Sequence, residues 1–260
     1  MVDGKSQKKY FKQIIKLFFN YFGYEIYKKK NFLNRYGDYI VEASDNELEN
    51  LEKFGRLCLA SKTNLWSIIQ SLKHLKNKNI SGNIVECGIY NGCTIAFINK
   101  ISEQIGLKKS IWGYDTFEKG FLKDTVSKND YFNIKKKKFD VSNDKTSYYT
   151  KEQVINNIKK FTNFNGERIR LIEGNIIETL EKQENIPGKI SFLRMDTDIY
   201  KTTKKQLEIL YPRLSIGGVL HIDDYGWMSG VRDAVDEYFN NKKIWLHRVD
   251  LTCRYLIKED

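Results

Sequence analysis

Apolar residues recur along this chain with two periods. Short runs rich in apolar and β-branched residues at 84–87, 110–114, 168–173 and 190–195, and another that ends at Ile222, predict β-strands. Between them lie stretches with apolar positions three and four apart, the helical period. These include 63–75, with Trp66, Ile69, Leu72 and Leu75 along one side, then 93–105, 151–161 and 176–183. Further on come the segment carrying Leu207, Leu210 and Leu214, and 230–239, with Val231, Ala234, Val235 and Phe239 together. Two alternating stretches, 243–249 and 253–257, read as the antiparallel edge pair that an open, mostly parallel sheet often carries. Strand and helix in alternation predict an α/β fold, a mostly parallel sheet of about seven strands with helices on both faces.

The N-terminal part follows a different pattern. Residues 8–30 are basic and aromatic, and a helix ended by Gly23 would gather Ile14, Ile15, Phe18, Phe19 and Phe22 on one face. That face suits a partner subunit, the protein's own core or a membrane interface. A further helical stretch begins near Asn46, so residues 1–79 are expected to form an N-terminal helical extension or cap and 80–260 the sheet domain. Residues 117–150 are polar, aromatic and aperiodic, the mark of a lid or a disordered insertion. The lysine run 135–138 within it is either a phosphate grip or a solvated cluster.

Candidate chemistry gathers at predicted strand ends. The run 190–195 ends in Asp196 and Asp198, and the next strand ends in Asp223 and Asp224, with a helical crossover between them. In a parallel sheet the carboxyl ends of neighbouring strands lie side by side, so these four carboxylates would meet at one edge. Such a cluster does not stay ionised uncompensated, and a hard divalent cation with oxygen ligands is the usual compensation. By strand alternation His221 would share the face of Asp223, as a base or as a packed, hydrogen-bonded residue. Tyr200, Tyr225 and Trp227 either line an acceptor pocket or pack beside the sheet edge.

Upstream, the strand 84–87 carries Glu86 and opens into the turn Gly88, Ile89, Tyr90, Asn91, Gly92 before a helix. Glycines between strand and helix let the backbone approach a ligand and aim free amides at it. Their spacing is not the dinucleotide GxGxxG. The next strand ends in Asp115, followed by Thr116; an acid there can accept hydrogen bonds from both ribose hydroxyls of a nucleoside, or can serve as a turn or helix cap. A third strand leads to Gly174 and Asn175.

Composition narrows the classes. At 260 residues and 41% hydrophobic the chain can bury a full core. A formal charge of +11 suits an anionic partner, whether nucleotide, phosphorylated substrate, nucleic acid or membrane surface, or reflects a Lys- and Asn-rich coding bias. Cys58, Cys87, Cys93 and Cys253 lack the spacing of a zinc site and are expected as reduced thiols. No apolar stretch approaches the roughly 20 residues a bilayer span needs, and no signal-peptide core is visible, so a cytoplasmic protein is expected.

Taken together, VECGIYNG (85–92), GYDTFEKG (113–120), LRMDTDIYKTTKKQLEILYPRLSIGG (193–218) and HIDDYG (221–226) resemble the macrocin O-methyltransferase family. The resemblance spans roughly residues 60–240, and the DxDxY segment followed by DDY is its most specific part. It implies the Rossmann-like class I methyltransferase fold, S-adenosylmethionine and Mg²⁺ as cofactors, and methyl transfer to a metal-bound hydroxyl of a sugar or of a sugar-containing or phosphorylated small molecule. By the same resemblance Asp196, Asp223 and Asp224 are the metal ligands, with Asp196 and Asp198 catalytic and Asp198 the candidate general base. Glu86, Gly88, Tyr90, Asn91, Gly92, Asp115, Thr116, Gly174 and Asn175 are expected around the cofactor. The chain departs from the family pattern at Thr197, where glycine is usual, at Lys201, where an acid is usual, and near Phe117, where a proline is missing; these changes bear on the acceptor.

The expected partners are a sugar, nucleotide-sugar or glycan precursor, and further copies of the chain in a homo-oligomer. Peripheral membrane contact by the N-terminal basic aromatic segment is a further expectation. Two other readings compete. An RNA methyltransferase fits the basic balance, but clustered acids repel a phosphate backbone unless metal is bound, so no nucleic acid is expected. A membrane-surface scaffold with a vestigial site fits the N-terminal helix, yet a binding module has no evident need for four clustered acids.

Overall fold

The computed structural model describes residues 4–24, 40–134, 137–143, 146–242 and 244–260. The chain divides into two compact units, Met1–Ser44 and Asp45–Asp260. The first carries helix α1 (Gly4–Tyr21), closed by a turn in which Gly23 takes a φ of 79°. The rest of the expected irregular stretch, 25–39, lies outside the described residues, as do Lys135 and Lys136 of the lysine run. Among the described residues no helix is long and apolar enough to cross a membrane.

The second unit is built on strands β1 (Asn83–Cys87), β2 (Ile111–Asp115), β5 (Ile169–Glu173), β6 (Ile190–Met195), β7 (Leu214–Ile222), β8 (His247–Arg248) and β9 (Arg254–Ile257). They form one sheet in the order β5-β2-β1-β6-β7-β9-β8. The five from β5 to β7 are parallel, β9 runs antiparallel to β7, and β8 antiparallel to β9. This is the expected mostly parallel sheet of the class I methyltransferase fold. The outermost stretch is shorter than its alternation predicts: only His247 and Arg248 pair, and 244–246 run irregularly.

Helices α2 (Asp45–Phe54), α3 (Lys62–Asn77), α4 (Cys93–Gln104), α5 (Lys151–Phe161), α6 (Ile176–Thr179), α7 (Tyr200–Ile209) and α8 (Ser229–Phe239) cover the sheet. Every residue of β6 is buried, which is why it reads as a mostly apolar run. Strand alternation sends Val85, Leu193 and Leu220 into a core with Leu207 of α7 and Val231, Val235 and Phe239 of α8. Ile84, Phe192 and Val219 therefore face the other side, where α3 packs on β6 and β7 with Leu65, Ile68, Ile69, Leu72 and Leu75 fully buried. Helices α2 and α3 lie within the compact unit Asp45–Asp260.

Helix α6 is one turn, capped by Asn175, not the two turns its apolar spacing predicts. The aperiodic insertion is docked on the sheet domain. Oδ1 of the fully buried Asp130 accepts from the backbone N–H of Tyr200 at 2.8 Å, capping α7 from a distant part of the chain. The Tyr131 N–H donates to Ser229 Oγ at 2.9 Å and that of Asn133 to the Trp227 carbonyl at 2.8 Å. Strands β3 (Tyr131–Phe132) and β4 (Lys137–Lys138) form a small hairpin there.

Candidate active site

In chain order the sheet grows outward from β1 to β2 and β5, then returns to place β6 on the other side of β1. At such a switch point the connections leave in opposite directions, and a crevice opens beyond the carboxyl ends of the strands. Backbone bonds continue the sheet into its tips. The Asp196 N–H donates to the Cys87 carbonyl at 2.9 Å, that of Gly88 to Tyr114 at 2.8 Å, and that of Asp223 to Met195 at 2.8 Å. Gly88 has a φ of 81°, and a Cβ there would stand 1.7 Å from the Asp196 carbonyl oxygen, so only glycine lets the β1 turn pass the β6 tip.

A cavity of about 580 Å³ fills this crevice. Gly88, Tyr90, Asn91, Asp115, Thr116, Gly174, Asn175, Asp196, Asp198, Asp223 and Asp224 all line it. Glu86 and Gly92 do not reach it. Glu86 is fully buried behind the strand tip, and Gly92 starts α4 in the left-handed conformation, turned towards Val154 and Ile158. Asp115 organises the glycine turn: Oδ2 accepts from the N–H groups of Ile89 at 2.7 Å and Tyr90 at 2.9 Å, and Oδ1 from Phe117 at 2.6 Å. Burial raises its carboxyl above the ordinary value against the pull of those donors.

The acids separate into two groups. One carboxylate oxygen from each of Asp196, Asp198 and Asp224 lies within 4.8 Å of the others. Asp223 is not in that trio; Arg194 holds it elsewhere. The buried Arg194 guanidinium reaches three carboxylates, donating through Nη1 to Glu86 at 2.8 Å and to Asp196, and through Nη2 to Asp223. Asp223 also accepts from Asn64 Nδ2 and from Thr252 Oγ1, each at 3.1 Å. His221, fully buried on the α3 face, contacts Ser67 Oγ at 2.9 Å and Cys253 Sγ, so it is a packed histidine beneath the site.

Proton affinities follow that division. Burial lifts the Glu86 carboxyl to about 8 although Arg194 opposes it. Burial lifts Asp196 to about 7, again against Arg194, with the Asp223 and Asp198 charges adding to the rise. Asp224 sits well above its usual range through burial and then through Asp198 and Asp223. Asp223 is lowered: burial pushes it up, but Arg194 and His221 outweigh that. Burial, helped by Arg194, holds His221 neutral, down to about 3. The backbone is unusual at the same places, since Tyr90, Asp198 and Asp224 have φ values of 47°, 62° and 56°. Non-glycine residues in the left-handed region are strained, and such strain concentrates at functional sites.

Several participants carry no signal in the sequence. Asn64 and Ser61 reach the cavity from α3 and its N-cap, and Asp250 and Thr252 from the loop before β9. The reduced-thiol expectation is corrected at one pair. Cys58 and Cys93 form a disulfide with a Cα–Cα distance of 5.3 Å, because the fold brings the chain before α3 against the start of α4; Cys87 and Cys253 are free and buried. The bond ties the cavity-lining residues Leu59, Ala60 and Ser61 to the end of the glycine turn.

Comparison with known proteins bears on this arrangement. The family model of macrocin-O-methyltransferase (TylF) matches residues 55–258. Demethyldecarbamoylnovobiocin O-methyltransferase of Streptomyces niveus is 28% identical over 67% of this chain and 64% of its own length. The 8-demethyl-8-(2,3-dimethoxy-alpha-L-rhamnosyl)-tetracenomycin-C 4'-O-methyltransferase of Streptomyces olivaceus is 29% identical over 61% of this chain and 58% of its own. Both matches span less than two thirds of the relative. Among solved structures, the O-methyltransferase NovP superposes with a TM-score of 0.68 at 24% identity, covering 77% of this chain and 81% of that one, a likeness of fold.

Proposed function

The chain belongs to the macrocin O-methyltransferase family, and on that premise we propose that it transfers a methyl group from S-adenosylmethionine to a hydroxyl of a sugar-containing small molecule. The observation that carries this reading is the convergence of Asp196, Asp198 and Asp224 on the cavity that also meets the glycine turn and Asp115. Both relatives are named as O-methyltransferases, and the name of the second describes a rhamnosyl-bearing acceptor methylated at its 4' position, which suggests the acceptor class here.

The carboxylate trio fits a divalent cation. Its donors are hard oxygens, and in the protein alone burial, with repulsion from Asp198 and Asp223, holds the Asp224 carboxyl well above the usual range, a cost that a cation would offset. Asp196, Asp198 and Asp224 would hold Mg²⁺, with Asp223 fixing their support through Arg194. When bound, the ion would lower the pKa of an acceptor hydroxyl and orient it.

The chain's own residues supply the rest. Asp115 accepts from three backbone N–H groups and has Thr116 beside it, so its carboxylate is fixed at the cavity wall, where it would meet the ribose of the cofactor. The close approach of Gly88 to the β6 tip brings the donor's side of the crevice next to the acids. S-adenosylmethionine, when bound, would supply an electrophilic methyl group: the acceptor oxygen would bond to its carbon while the carbon–sulfur bond breaks and its electrons return to sulfur. The acceptor proton passes to a carboxylate of the trio, for which Asp198 is the candidate. Correct placement supplies most of the rate in such a displacement.

The test is transfer of labelled methyl from S-adenosylmethionine to a panel of glycosides, nucleotide sugars and phosphorylated metabolites, with RNA as a separate substrate. Label on a sugar hydroxyl, lost in chelator and restored by Mg²⁺, is the expected result. Full turnover in excess chelator removes the ion from the reading, and label on RNA alone replaces the acceptor.

A further inference from the structure

The reaction above leaves the N-terminal unit without a role. Helix α1 contains five lysines, at positions 5, 8, 9, 12 and 16, and no acidic residue. Positions 5, 9, 12 and 16 are spaced i, i+4, i+7 and i+11, which at about 100° per residue puts them in one arc of about 60°. Ile14, Leu17, Phe18 and Tyr21 fall on the opposite arc and stand exposed at 55%, 68%, 59% and 85%. Phe22 and Tyr24 beyond the helix end are exposed as well. The Phe18 ring lies edge-on to Phe22, with centroids 5.1 Å apart, so the apolar surface continues past the helix end; Phe19 falls beside the lysine arc.

An apolar, aromatic arc backed by an all-cationic one has a specific complement. A second copy of the helix would offer more lysines and no acid to meet them, and a folded core would leave the positive stripe idle. An anionic bilayer offers both parts at once: an acyl boundary for Leu17, Phe18 and Tyr21, and negative headgroups for the lysine stripe. Tyrosine is also suited to the boundary itself, with an apolar ring and a hydroxyl that stays hydrated. We propose that α1 lies in the interface of an anionic phospholipid membrane and docks the protein there peripherally.

The experiment is flotation of the full chain with vesicles of phosphatidylcholine alone and of phosphatidylcholine mixed with phosphatidylglycerol. Binding to the mixed vesicles and not to the neutral ones is expected. Lys12→Gln with Lys16→Gln should weaken partitioning about thirtyfold, since each surface lysine contributes about 1 kcal/mol and 1.4 kcal/mol is tenfold. Leu17→Ser with Phe18→Ser should abolish it, and an unchanged thermal melt of both variants shows that the fold is intact. Failure to float on anionic vesicles, equal flotation on neutral ones, or indifference to both double variants overturns the proposal. So does a concentration-dependent dimer that Leu17→Ser with Phe18→Ser converts to monomer, which would give the face to a second copy.

Discussion

The Arg194 guanidinium donates through Nη2 to Oδ2 of Asp223, and the two side chains are buried to 2% and 10% exposure. An acid that resemblance places on a metal is thus bound to an internal cation, and the same arginine holds Glu86 and Asp196. One positive charge among three carboxylates fixes which oxygens remain free to face the cavity. With His221, it also outweighs burial at Asp223 and lowers the proton affinity there.

Removing that arginine leaves buried carboxylates without a partner. Breaking one side of a buried ion pair costs about 3–5 kcal/mol. Arg194→Met should therefore destabilise the protein by about that much in denaturant melts, and adding Asp223→Asn should recover part of the loss. Wild-type stability in the single variant would show that Arg194 is not the counter-ion of this cluster.

The division of the acids predicts an order of metal affinities. Asp198→Asn and Asp224→Asn remove members of the converging trio and should weaken Mg²⁺ binding more than a hundredfold. Asp223→Asn acts through Arg194 and should cost about 10–100-fold, the usual effect of a supporting residue. Calorimetric titration of the three variants decides the matter. If Asp223→Asn is the most damaging and Asp198→Asn spares the ion, Asp223 is a ligand and Asp198 acts purely as the base.

Some of this was legible in the sequence and some was not, for physical reasons. Strand β6 announces itself because all six residues are buried, and the acids at its end follow from where a parallel strand must stop. Arg194 is hidden inside that same run, and its partners Glu86 and Asp223 lie 108 and 29 positions away. Asn64 sits on a helix whose apolar spacing draws attention to its core face. The docking of the insertion rests on Asp130, one carboxylate that caps a helix 70 positions further on. Contacts of this kind follow from the assembled fold and leave no periodicity to read.

Gly88 offers a steric test of the crevice. Its φ of 81° disfavours any other residue, and a Cβ would overlap the Asp196 carbonyl at 1.7 Å, where backbone must give way. Gly88→Ala should lower stability by about 1–3 kcal/mol and weaken S-adenosylmethionine binding at least tenfold by displacing the turn. Gly188→Ala, before the opposite end of β6 and with nothing within 4 Å of the new atom, is the control expected to change neither. Cofactor affinity by calorimetry and a thermal melt provide both readings.

The disulfide between Cys58 and Cys93 closes a loop of sequence separation 35. In the loop-entropy account such a closure stabilises by at most about 4 kcal/mol. Reduction, or Cys58→Ser with Cys93→Ser, should lower the denaturation free energy by up to that amount. It should also raise hydrogen exchange in residues 57–61, where the tether to α4 is lost. Exchange that is unchanged on reduction would mean that packing alone holds the cavity wall formed by Leu59, Ala60 and Ser61.

The raised carboxyls also fix the sign of a pH effect. Asp196 at about 7 and Glu86 at about 8 bind protons more tightly folded than unfolded, where acids titrate near 4. Between the two values the folded state holds the extra protons, so stability falls as pH rises and is greatest once these groups are protonated. His221 works the other way, because the unfolded chain gains a proton that the folded one refuses, but only below about 6.5. From pH 6.5 to 8, melts of the chelator-treated protein should therefore shift to lower temperature. Metal ligands must shed their protons to bind, so Mg²⁺ should flatten that slope and stabilise most at the alkaline end. A metal-free protein that grows more stable across this interval would mean that Asp196 and Glu86 are ionised in the fold, and that Arg194 alone is enough to hold the cluster together.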